Sequence, residues 1–173
     1  MKTADFGPVF QTLFSELTMG APLPPGASYM LNLGDTGLLA SLDGISAEQA
    51  SVSHDGGGSI AAHADHLRYG LALLNRWAHG EPNPWKSADW TESWRKTSVS
   101  IAEWAGLREQ LRRESSEWLK ALGASRELKH EEACWVIGSI PHLAYHLGAM
   151  RQIARVARGP TAEDEHRLKR GSP

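Results

Sequence analysis

His142 and His146 stand four residues apart in the run PHLAYHLG at 141–148. On an α-helix that spacing stacks two imidazoles on one face, about 6 Å apart. The same face continues through Ala149 and Ile153, which predicts the buried side of the helix rather than the wet one. A buried imidazole needs a polar partner for its nitrogens. One divalent ion gives both rings a partner at once, and HxxxH is a common way for a helix to offer two ligands to one ion. Two histidines with ordinary hydrogen-bond partners satisfy the same spacing without a metal. Tyr145, beside them, either supports the site or packs. A third ring is available at 59–67, SIAAHADHL, where His63 and His66 both fall on the inward arc of one helix. His63 lies nearer the centre of that arc and His66 nearer its edge, and the pattern does not choose between them. Three imidazoles from two helices leave at least one coordination position open, the arrangement of catalytic rather than closed structural sites.

The elements that must carry these side chains are helices. Phe6, Phe10, Phe14 and Leu17 recur at helical spacing and predict a first helix over about 4–19, closed by Gly20 and a proline-rich link. Asp35 or Thr36 can cap a short helix that ends at Gly44, and Ser46 with Gln49 reads as a capping box. Ser59 starts the second long helix, expected to run to about His79. Its polar residues Asp65, Arg68, Asn75, Arg76 and His79 fall together, opposite Ile60, Leu67, Leu71, Leu74 and Trp77. Residues 81–99 hold Trp85, Trp90 and Trp94 among Pro, Ser and Asp and predict a packed loop. Ser100 with Glu103 is a capping box for a third long helix, to about Leu122. A fourth runs from about Glu131 to Arg158, with Pro141 inside it as a kink or a restart. No stretch alternates as a strand does. The expectation is therefore an all-α, antiparallel up-down four-helix bundle over 1–160, with a distorted N-terminal helix, a Trp-rich loop between helices two and three, and a polar, frayed tail at 161–173.

Composition narrows what such a domain can do. The chain has 173 residues, 41% of them hydrophobic and 22% charged, the profile of one globular domain that folds without a disulfide or structural metal. Eighteen Lys and Arg against 20 Asp and Glu leave a net charge of -2, so no basic field favours nucleic acid. A single cysteine, Cys134, excludes an internal disulfide and a multi-cysteine zinc site, and reads as a small buried hydrophobe. No apolar run reaches the roughly 20 residues of a membrane span. The first residues do not read as a signal peptide, which sets the expectation of a cytoplasmic protein. The 7 Trp residues exceed what one small core easily holds and favour a homodimer.

Other motif-like runs carry less. Glu127 with His130 and Glu163 with His166 match the ExxH of di-iron bundles but sit in a connection and in the tail, without the paired core glutamates. His130-Glu131 begins like a zincin motif but lacks the second histidine. The glycines at 56–58 follow no strand and carry no GK[ST]. Arg112-Arg113 and the basic run at 166–170 read as a solvated face and tail.

The two histidine runs together resemble the DinB/YfiT-like superfamily. Its members are four-helix bundles with a three-histidine metal site: one ligand on the second helix in a Ser/Thr-x6-His-[Leu/Val/Ile] context, two on the last helix as HxxxH. In this sequence Ser59 plus seven residues reaches His66, followed by Leu67. The resemblance thus implies His66, His142 and His146 as metal ligands and His63 as a neighbour. It spans about Asp35 to Ile153; the first helix, the proline-rich link and Pro141 depart from it. It implies a divalent metal, zinc or nickel first and iron or copper as alternatives, since imidazoles suit them all. It also implies activation of a thiol or a water, as in relatives that transfer a small thiol onto an electrophile or isomerise maleylpyruvate. The readings carried forward are a metal-dependent thiol transferase, a metal-dependent hydrolase, and a non-catalytic metal-binding or stress-related module.

Overall fold

A computed structural model describes residues 6–21, 28–54 and 57–170, and the proline-rich link lies outside them. Helix α1 spans Gly7–Met19, uninterrupted, and buries Phe14 and Leu17 while Phe6 is exposed. The distortion expected of the first helix is not seen within these residues. Short helices α2 (Gly37–Asp43) and α3 (Ala47–Ala50) follow. Ser46 and Gln49 close the capping box at α3. At α2 the capping oxygen comes from Asp35, whose carboxylate accepts the Gly37 amide at 2.8 Å.

Helix α4, Ile60–Ala78, begins where Ser59 Oγ accepts the Ala62 amide at 3.2 Å. It is buried nearly all round, from Ile60 to Trp77. Only part of the expected polar face reaches solvent: Arg76 and His79 are exposed and Arg68 is half-buried. Asp65 is buried with Arg68 on its carboxylate at 2.6 Å, and Asn75 is buried with its amide on Glu114. The Asp65 carboxylate and the Asn75 amide nitrogen thus have local partners inside, while Asn75 Oδ1 is buried without a hydrogen-bond partner among the described residues. Two 3-10 turns, Pro84–Ser87 and Glu92–Trp94, shape the tryptophan loop. Helix α5, Ile101–Leu122, starts at the Ser100–Glu103 capping box.

Helix α6, His130–Ile153, continues through Pro141 without a break, so there is no restart. Proline removes the donor that Ile137 C=O would accept. Ile137 and Pro141 both face solvent, where water replaces the missing partner. The buried line of α6 is Val136, Ile140, Leu143, Leu147 and Met150. Ala149 and Ile153 are only half-buried, so the HxxxH face is offset from the expected stripe. His142 sits at its margin, and the apolar residues, more numerous, set the helix's rotation.

After a 3-10 turn at Arg155–Ala157, Ala162–Arg170 forms α7. The stretch expected to fray is helical there, started by Thr161 and Asp164, whose amide and side chain exchange hydrogen bonds. Among the described residues the chain is all-helical, with no strand. The four longest helices contact one another in a ring: α4 packs on α5 and α6, and α1 packs on α5 and α6. Among the described residues, no helix is long and apolar enough to cross a membrane.

Every tryptophan finds partners within this one chain. Trp104 donates to Ile45 C=O at 2.7 Å and Trp118 to Ser139 Oγ at 3.0 Å. Trp77, Trp85 and Trp135 pack as a group, and Trp90 and Trp94 pack on histidines. The tryptophan count therefore gives no argument for a second copy.

Candidate metal centre

Helices α4 and α6 bring His66, His142 and His146 together, with ligand atoms all within 4.8 Å of one another. His142 Nε2 lies 3.1 Å from His66 Nε2 and 3.0 Å from His146 Nε2. Nitrogens at opposite corners of a tetrahedral zinc edge would be about 3.3 Å apart, given Zn–N bonds of about 2.0–2.1 Å. His66 and His146 are buried and His142 half-buried. These three residues could hold a metal ion.

The outer nitrogens are held from behind. Ser93 Oγ donates its one hydrogen to Trp90 C=O at 2.8 Å. Its contact with His66 Nδ1 at 2.9 Å is then one in which the imidazole N–H donates. That leaves His66 Nε2 as a lone pair aimed at the cluster. His63 Nδ1 lies 2.8 Å from His146 Nδ1, so one of the two donates to the other. His63 thus lies behind the cluster, as a hydrogen-bond partner of His146.

This pattern tests whether a metal fits. With the His66 proton on Nδ1, no assignment of neutral tautomers gives both close contacts at His142 their own hydrogen. A hydrogen on His142 Nε2 can serve one contact or be shared, and a hydrogen on His146 leaves the His66–His142 pair as facing lone pairs. A cation at the centre resolves all three lone pairs together. The neutral, metal-binding form is also the favoured one. Burial, then the neighbouring imidazoles His142 and His63, lower the pKa of His66 to about 4. Burial, then His142, His66 and His63, lower that of His146 to about 3. Burial lowers His63 and His142 as well.

The tryptophan loop covers the cluster. Trp94 stacks on His66, with centroids 4.4 Å apart and planes at 26°, and meets His63 edge-on at 5.2 Å. Gly58 permits this closure: a Cβ there would stand 3.1 Å from Trp94 Cζ3 and 3.3 Å from His63 Nε2. Tyr145 is exposed and meets the His146 ring edge-on at 5.0 Å, so it packs from the solvent side. Ser93, Trp94 and Gly58 were not read as site residues from sequence.

A cavity of about 250 Å³ adjoins the cluster, with His142 in its wall. Cys134 also lines it and is exposed, not the buried hydrophobe expected. Its sulfur lies 3.9 Å from His130 Nε2. No protein-family model, curated protein or solved structure matches the chain.

Proposed function

We propose that the protein is a metal-dependent enzyme of the DinB/YfiT-like type, using a divalent ion on His66, His142 and His146 to activate a small thiol. In this reading α1, α4, α5 and α6 are an antiparallel four-helix bundle, and the ring of contacts among them supports it. The observation that carries the proposal is the set of three Nε2 atoms that share too few hydrogens among themselves. An ion bound there supplies Lewis acidity, which lowers the pKa of a thiol or water on its open side.

The chain's own groups do the rest. Ser93 fixes the tautomer of His66, and His63 orients His146. Trp94 stacks over His66 and limits water around it. The cavity at His142 gives a second reactant a place beside the open position. That cavity favours an enzyme over a closed, non-catalytic metal site.

The test is stripping and refilling. Protein without an affinity tag is freed of metal, shown to remain folded, refilled with zinc or nickel, and assayed against a panel of thiols and electrophiles. Conjugation should need the metal and should vanish in His142→Ala and His146→Ala. Refilled protein that conjugates nothing would remove the thiol-transferase reading in favour of a hydrolase or a non-catalytic module.

A further inference from the structure

Two glycines sit mid-helix on opposite walls of one cavity. Gly70 lies in α4 and Gly138 in α6, and both line the space beside His142. A mid-helix glycine costs about 1 kcal/mol relative to alanine. Packing does not demand either one. A Cβ on Gly70 would come no closer than 3.8 Å to any atom, that atom being His142 Cε1, and a Cβ on Gly138 would meet nothing within 4 Å. Their common effect is to keep the cavity open.

The walls say what it suits. Leu67, Leu71, Leu74 and Leu143 line it, with Trp85, Trp90 and Trp135. Trp85 and Trp135 pack on each other with centroids 3.9 Å apart, and Trp90 is braced edge-on by Tyr69. They form a stiff aromatic surface. Among the described residues, no Asp, Glu, Lys or Arg lines the space. The Ser139 hydroxyl is occupied on both sides, accepting from Trp118 and donating to Val136 C=O. The polar groups that remain in the wall are His142, the Cys134 thiol and the indole N–H groups of the three tryptophans. An engineered cavity of about 150 Å³ takes benzene, so about 250 Å³ accommodates a fused bicyclic ring.

We infer that the cavity between α4, α6 and the tryptophan loop binds an uncharged aromatic group of one or two fused rings, with its polar end toward His142. That this group is a reactant rests on the metal-enzyme reading above; the binding itself does not.

The test is calorimetric titration of the metal-stripped full chain with 2-naphthol, 2-naphthoate and cyclohexanol. Naphthol should bind about tenfold more tightly than either of the others. Gly138→Leu should weaken naphthol binding about tenfold, and Gly70→Ala, a smaller change, should also weaken it. Gly106→Leu, on exposed α5 surface, should leave it unchanged. Folding of each variant is checked by circular dichroism. No naphthol binding, equal binding of naphthoate, or unchanged binding in both cavity variants overturns the inference. Metal uptake, followed in parallel by equilibrium dialysis, separates the two proposals. Uptake without naphthol binding sinks the cavity inference alone, and naphthol binding without uptake sinks the enzyme reading alone.

Discussion

His63 and His146 face each other through their Nδ1 atoms at 2.8 Å. When His146 offers its Nε2 lone pair to a metal, its proton sits on Nδ1 and donates to His63, whose own proton then sits on Nε2. On the proposed reading His63 is thus a positioning residue behind His146, and the histidine of α4 that joins the three-imidazole cluster is His66.

Replacing His63 should weaken the metal without abolishing it. His63→Ala should lower affinity about 10–100-fold, the usual effect of losing such an outer partner. Competition against a chelator of known affinity reads this directly. Affinity equal to wild type would show that the Nδ1–Nδ1 bond does not matter.

Acid should destabilise the metal-free fold early. The unfolded histidines take up protons near pH 6.5, whereas His66 and His146 in the fold wait until about 4 and about 3. Below pH 6.5 the unfolded state therefore binds more protons, so stability falls with pH until the folded pKa values are reached. Above 6.5 these groups contribute no slope. Each contributes up to about 1.4 kcal/mol per pH unit in that window. Urea midpoints at pH 7, 6 and 5, a range in which most carboxylates stay ionised, should drop steadily. A flat profile would mean that the imidazoles are not held neutral. Metal binding should shift the onset of this loss to lower pH, because the ion competes with protons for the same nitrogens.

Glu16 is a structural anchor. Its buried carboxylate accepts the amides of Tyr29, Met30 and Leu31 at 2.7–3.1 Å. Glu16→Ala should cost about 2 kcal/mol, because several amides lose a charged acceptor at once. Chemical denaturation measures it, and a change below about 0.5 kcal/mol, the range of an ordinary surface substitution, would show that water replaces the carboxylate freely.

Local signals in this chain were readable and long-range ones were not. Ser46, Ser59 and Ser100 each mark a helix start because a cap involves residues only three apart. The HxxxH spacing is likewise local, and it placed His142 and His146 on one face. Glu16 reaches residues 13–15 positions away, and nothing near it in sequence announces the contact. Asp35 is buried and pairs with Arg151 at 2.7 Å across 116 residues. Gly159 packs so close that a Cβ would strike the Asp35 carboxylate. Ser93 belongs to the site only because the tryptophan loop folds back onto α4, and Gly58, just before the α4 cap, only because that loop closes against it. In α6 the core line is set by Val136, Ile140, Leu143, Leu147 and Met150, and a pair of histidines four apart does not reveal that the more numerous apolar residues one position away decide the helix's rotation.

If His66, His142 and His146 hold one ion between them, the metal content of the chain reports it. Tag-free wild-type protein and the variants His63→Ala, His66→Ala, His142→Ala and His146→Ala would be loaded with zinc or nickel, dialysed, and analysed for metal per chain. Wild type should hold about one ion. Removing His66, His142 or His146 should each empty the site under the same dialysis, while His63→Ala retains measurable metal. A wild type that holds none, or three ligand variants that hold as much as wild type, would contradict the account.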